Sequence, residues 1–282
     1  MMRKTRCFLL KAALAVILLL GAYICLAYTE KELSKPDAAE NTPGSDIAVR
    51  VSDIDDTGFL ELVNAQEPIT DGSGGVIVAA WPTVPVGSRD VTLNKTALAA
   101  AARMFSAADS EHAGSFYISS GYRGYAEQER TYEEMADKSY VQPAGHSEHE
   151  TGLAADIMAK GVSQSDMGVS AEGQWLAENA WKYGFILRYP MDKTQATGIS
   201  YEPWHFRYVG QPHAWYCAKN GLCYEEYISF LKSRGGYTAT LDGKTYSVLY
   251  ETPENGIIYV PEGRNYSVSD DNTGGYIITA WK

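Results

Sequence analysis

Basic charge is in short supply in this sequence: 24 Lys and Arg stand against 35 Asp and Glu, for a formal net charge of −11. Attachment to a phosphate backbone rests on clustered Lys and Arg, so nucleic acid is excluded as a partner. Cysteine is scarce too, with four in 282 residues. Cys7 and Cys25 fall beside and within an apolar N-terminal run, and Cys217 and Cys223 have no paired histidines beside them, so no zinc finger is present. An exported Cys217–Cys223 pair either oxidises across the Lys219-Asn220-Gly221 turn or stays as two small buried thiols. The sequence leaves both open. Repeats of solenoid period are absent.

Membrane-length apolar runs are absent except at the front. Arg3, Lys4 and Arg6 precede the run from Phe8 to Tyr28, which only Lys11 interrupts. The uncharged part, Ala12 to Tyr28, is at the short end of a membrane span. Basic residues before it and Glu30 and Glu32 after it place the bulk of the chain outside the cytoplasm. A cleaved signal peptide would use the same regions, but no small-x-small site precedes a polar stretch, and Cys25 follows the bulky Ile24. The expectation is a signal-anchor over 1–28, single-pass in the cell membrane, with an extracellular catalytic domain. Residues 29–56 are polar, carry Pro36, Pro43 and Gly44, and read as a flexible stalk.

With 45% apolar and 21% charged residues, the chain has the make-up of an ordinary globular protein. Leu98, Ala101, Ala102 and Phe105 mark a helix from Asn94. Further helices are expected over 126–136, 173–183 (stopped by Gly184), 212–220 (stopped by Gly221) and 224–231. Phe116-Tyr117-Ile118 and Phe185-Ile186-Leu187 read as strands. From Tyr237 onward, β-branched and aromatic residues alternate with Asp242-Gly243, Asn255-Gly256 and Asn272-Thr273-Gly274-Gly275 turns, the signal of short hairpins. The predicted fold is α+β: a small antiparallel sheet with flanking helices around a metal site over 57–235, then a C-terminal β-hairpin appendage over 236–282.

The chemistry concentrates in His146-Ser147-Glu148-His149-Glu150-Thr151-Gly152-Leu153-Ala154-Ala155-Asp156 and in Tyr201-Glu202-Pro203-Trp204-His205-Phe206-Arg207. A catalytic zinc takes three N/O protein ligands and keeps one position open, and hydrolysis needs a further carboxylate as base. His149, Asp156 and His205 fit the ligand roles, leaving Glu202 as the base. Two imidazoles and a carboxylate form a borderline-soft set that favours Zn2+. On a regular strand, residues three apart face opposite sides, so Pro203 must break the strand if Glu202 and His205 are to converge. His146 and His213 are expected to be non-ligands.

Ser147-x-His149-x-x-Gly152-x-Ala154-x-Asp156 followed by Glu202-x-Trp204-His205, together with Ser119-Ser120-Gly121-Tyr122-Arg123 and Gln128, resembles the zinc D-alanyl-D-alanine carboxypeptidases of the VanY type, a group that includes VanX-like dipeptidases and L,D-carboxypeptidases. The resemblance spans roughly residues 59–235. It implies that Arg123 stabilises the developing oxyanion or holds the substrate, and that Ser147 and Gln128 contact the terminal D-Ala. Tyr122 and Trp204 are placed as wall of the substrate pocket or as core, rather than as specificity groups. The implied activity is removal of the terminal D-Ala from peptidoglycan stem peptides ending in D-Ala-D-Ala, in glycopeptide resistance or in routine wall trimming. The rivals are an L,D-carboxypeptidase acting on tetrapeptides and, in another class, a non-catalytic wall-binding module.

Overall fold

A computed structural model describes residues 46–70 and 75–282. The expected signal-anchor and most of the stalk lie outside the described residues, and among those described no helix is long and apolar enough to cross a membrane.

In chain order the elements are strands β1 (Asp46–Arg50), β2 (Ile77–Ala79) and β3 (Thr92–Asn94), helix α1 (Lys95–Ser110), β4 (Phe116–Ser120), α2 (Tyr125–Glu134), β5 (Ala154–Ala159), α3 (Ala171–Asn179), β6 (Phe185–Leu187) and β7 (His205–Tyr208). Then come α4 (Gln211–Asn220), α5 (Tyr224–Arg234), β8 (Gly236–Leu241), β9 (Lys244–Glu251), β10 (Ile257–Pro261), β11 (Asn265–Asp270) and β12 (Tyr276–Trp281). A four-stranded antiparallel sheet of order β4-β5-β7-β6 carries the chemistry, and a second sheet of order β11-β12-β9-β8 lies C-terminal to it in the chain.

Helix α1 backs the first sheet. Leu98, Ala101, Met104 and Phe105 are buried on one face and join Ile118, Ala155, Ile157 and Phe206 in a single core. Its start is set by Asn94, whose side-chain oxygen accepts from the Thr96 and Ala97 N–H groups at 2.8 and 3.1 Å. Such a cap satisfies two of the helix's otherwise unpaired donors. Asn94→Ala is expected to lower stability by about 1 kcal/mol, seen as a lower urea midpoint with an unchanged slope.

The structure departs from the sequence-based expectation in one place. Residues 46–50, expected in the stalk, form β1 and pair antiparallel along β10 from Asp46↔Pro261 to Arg50↔Ile257. The mostly exposed β1 covers a strand edge that would otherwise present unpaired backbone groups. The hairpin sheet expected after residue 236 is present, with Asp242 and Asn272 at positive φ in its turns. Tyr237, Val248 and Ile277 share one hydrophobic core with Tyr216, Tyr224 and Tyr227 of α4 and α5 and with Leu60 and Leu62.

His213, expected to be a non-ligand, shows how tightly the two parts are joined. Its ring nitrogens lie 2.6 Å from Tyr227 Oη and 2.9 Å from Thr279 Oγ1, so it bridges α4, α5 and β12. Burial pushes its pKa down to about 3 from 6.5. The folded state therefore prefers the neutral ring, and the unfolded chain binds the proton more readily. His213 stabilises fully above about pH 6.5, and its contribution is lost as pH falls towards 3. Chemical denaturation between pH 7 and 4 should show stability falling with acid, and His213→Gln should flatten that slope.

Cys217 and Cys223 are both buried free thiols.

Candidate active site

The register of β5 against β7 creates the site. Asp156 is paired directly with His205, and directly opposed residues of antiparallel strands project from the same face. Their neighbours Ala155, Ile157 and Phe206 point the other way into the core. His205 Nδ1 lies 3.2 Å from Asp156 Oδ1.

His149 reaches the same point from a short 3-10 turn, Glu148–Thr151. Ser147 and Glu150 cap that turn reciprocally, and Gly152 ends it in the left-handed conformation at φ 69°. A Cβ at Gly152 would meet Ile77 Cδ1 at 2.3 Å, so glycine is required for space as well as for backbone shape. His149 Nδ1 lies 2.6 Å from the Gly121 carbonyl oxygen. Nδ1 therefore holds the proton, and the Nε2 lone pair faces Asp156 Oδ1 at 3.5 Å. His149, Asp156 and His205 each offer one ligand atom within 4.8 Å of the others. Asp156 Oδ1 is buried without a hydrogen-bond partner among the described residues. A buried carboxylate oxygen left unpaired between two imidazoles fits a cation, and two nitrogens with one oxygen suit Zn2+.

Glu202 converges on them because a turn replaces the strand. The His205 N–H donates to the Glu202 carbonyl at 3.1 Å across Pro203-Trp204, and Glu202 Oε2 comes 3.6 Å from His205 Nδ1. Glu202 is 5% exposed. Burial, together with the Asp156 and Glu148 carboxylates, pushes its pKa up to about 8 against the opposing pull of His205 and Arg123. Burial disfavours charge on both imidazoles. It carries His149 down to about 4, with Arg123 adding to the shift. At His205 the Asp156 and Glu148 carboxylates outweigh it and hold the ring up at about 9.

These groups open onto a cavity of about 430 Å³. Arg123, Gln128, Ser147 and Trp204 line it as well. Arg123 Nε and Gln128 Oε1 are buried without hydrogen-bond partners among the described residues, while the Gln128 amide is oriented by donating from Nε2 to the Gln142 carbonyl at 2.6 Å. Trp204 stacks against Tyr140, with ring centroids 6.5 Å apart. Tyr122 does not line the cavity; its N–H is tied to the Thr92 carbonyl at 2.7 Å and the residue is 38% exposed. The outward direction of residue 122 follows from this backbone tie between β3 and the loop after β4, which the sequence does not display. His146 lies outside the metal cluster, with Nδ1 2.8 Å from the Asn64 carbonyl oxygen.

Sequence reasoning missed Tyr189, whose ring centre is 4.8 Å from that of His205, and Glu148, buried behind the same ring. Glu148 stands beside His149 in the motif, but a 3-10 turn has no periodicity from which its direction could be inferred.

Residues 90–211 match the VanY family, D-alanyl-D-alanine carboxypeptidase. A D-alanyl-D-alanine carboxypeptidase of Enterococcus faecium is 45% identical over 167 residues, 59% of this chain and 54% of that protein. The chain spans about half the length of the curated relatives it matches. Among solved structures, the vancomycin resistance D,D-dipeptidase VanXYg in complex with a D-Ala-D-Ala phosphinate analogue aligns with TM-score 0.71 and 27% identity, covering 85% of this chain and all of that one. A mutant of the D,D-pentapeptidase VanY from a VanB-type vancomycin resistance cassette, in complex with Zn(II), aligns with TM-score 0.53 and 32% identity, covering 61% of this chain and 99% of that one.

Proposed function

We propose, because the chain belongs to the VanY family of D-alanyl-D-alanine carboxypeptidases, that it is a zinc D,D-carboxypeptidase removing the terminal D-Ala from peptidoglycan stem peptides that end in D-Ala-D-Ala. The observation that carries this reading is the convergence of a three-ligand cluster, a buried carboxylate of raised pKa and an unpaired buried arginine nitrogen on one cavity.

His149, Asp156 and His205 would hold the metal, which when bound supplies Lewis acidity: it lowers the pKa of the attacking water and polarises the scissile carbonyl. Glu202 takes the proton of that water and returns it to the leaving amine of D-Ala. The Arg123 guanidinium compensates the negative charge that grows on the carbonyl oxygen as the carbon becomes tetrahedral. Gln128 offers its unpaired Oε1 to a substrate N–H, and Ser147 stands beside His149 where the terminal residue would sit. The aromatic wall of Trp204 and Tyr140 orients the rest of the peptide.

In this reading the N-terminal run 8–28 anchors the enzyme in the cell membrane with residues 46–282 outside, and the chain acts in glycopeptide resistance. Protease added outside intact cells should cleave the folded part, and protection of that part would overturn the topology.

Incubating the zinc-loaded full chain in detergent with pentapeptide and tetrapeptide precursors, followed by mass spectrometry, tests the activity. Loss of one alanine from the pentapeptide alone is expected, and chelation should abolish it with zinc restoring it. Loss from the tetrapeptide alone would replace the proposal with L,D-carboxypeptidase activity. No loss from either by zinc-bound protein would point to a wall-binding module.

A further inference from the structure

On the Nε2 side of the His205 ring lies a buried charge network that the proposed reaction does not use. Glu148 is 1% exposed. Its Oε1 accepts from Arg188 Nε at 2.7 Å and faces Arg207 Nη1 at 3.2 Å. Arg188 is in turn held by a two-pronged contact to Glu225 at 2.9 and 2.6 Å. Among the described residues the other oxygen, Glu148 Oε2, has no hydrogen-bond partner, and neither does His205 Nε2. The two face each other at 3.6 Å, and a shift of about half an ångström brings them to hydrogen-bond distance.

We infer that Glu148 is the positioning residue for His205: its carboxylate takes the Nε2–H, so that Nδ1 keeps its lone pair directed at Asp156 and the metal position. This rests on the assignment of a metal to His149, Asp156 and His205. A neutral imidazole carries one proton on either nitrogen, and the acceptor facing one nitrogen decides which of them is free to bind a metal. Carboxylates behind metal-binding histidines set tautomer and ring orientation in this way. Here the carboxylate is itself fixed by two guanidinium groups. Arg207 lies two residues beyond His205 on β7, which puts both side chains on the same sheet face. Glu148 precedes His149 directly, so one turn supplies a ligand and the support for another ligand.

A purely bracing role is the competing account, and Glu225 separates the two. Glu225 shares Arg188 with Glu148, whereas the carboxylate ion-paired with His205 Nε2 is that of Glu148. In the full chain in detergent, zinc affinity measured by chelator competition is expected to fall 10- to 100-fold in Glu148→Gln. Glu225→Gln should lower the melting temperature but leave zinc affinity within about threefold, as expected for a group that does not support a ligand. Zinc bound equally well by the parent and Glu148→Gln would overturn the inference, and absence of zinc binding by the parent would instead overturn the metal assignment.

If Glu148→Gln does not fold, the native zinc-loaded chain still decides. Nitrogen-15 NMR of its histidines should show His205 protonated at Nε2 and metal-shifted at Nδ1. The reverse assignment would overturn the inference.

Discussion

Glu202→Gln is expected to retain zinc at one ion per chain and an unchanged melting temperature while losing 10²- to 10⁴-fold in kcat on pentapeptide, the range that a positioned acid–base group contributes. Glutamine keeps the size and one acceptor oxygen of glutamate but cannot take up and return a proton. The parent's pH profile should carry the same signature. In the metal-free site, burial and the Asp156 and Glu148 carboxylates hold Glu202 at about 8. A dication beside Asp156 opposes those carboxylates and lowers that value. Because the base must be deprotonated to act, kcat/KM should rise with pH along an acid limb whose midpoint lies below 8. The residual activity of Glu202→Gln should lack that limb. A Glu202→Gln enzyme within tenfold of the parent would remove Glu202 from the chemistry.

Much of the site is legible in the sequence because its constraints are local. His149, Asp156 and His205 stand with Glu202 in two short motifs, and Pro203 announces that Glu202 and His205 are not on one regular strand. Helix α1 is legible from the spacing of Leu98, Ala101 and Phe105. Illegible are contacts between distant segments. Nothing near Glu148 indicates that Arg188, just after β6, and Arg207, on β7, will close on it. The change of register near Ser120 and the tie of Tyr122 to Thr92 likewise depend on strands brought together only by folding. Tyr237 begins a hairpin run in the sequence, yet in the fold it belongs to the same tyrosine-lined core as α4 and α5.

The second large effect is on stability. Arg188→Ala is expected to cost about 3–5 kcal/mol, the range for removing one partner of a buried ion pair. Arg188 is fully buried, as is Glu148, and Glu225 is only 15% exposed at its side chain. Truncation leaves both carboxylates without their main counter-charge, and the Arg207 guanidinium remains as the cation facing Glu148. Against a typical domain stability of about 5–15 kcal/mol, this loss is large enough to appear directly in the denaturation midpoint. Arg188→Lys should recover only part of it, because a single ammonium cannot reproduce the fork that grips Glu225 while its Nε serves Glu148. Pairing Arg188→Met with Glu225→Met should also recover part, since the double change removes an uncompensated charge along with its partner. The contact of the exposed Lys232 to the buried Asp271 at 4.0 Å gives the contrast: Asp271 already accepts from Tyr250, Thr273 and Gly275, so Lys232→Ala should change stability by less than about 1 kcal/mol. Equal small effects at Arg188 and Lys232 would mean that the buried network does not brace the sheet that carries His205.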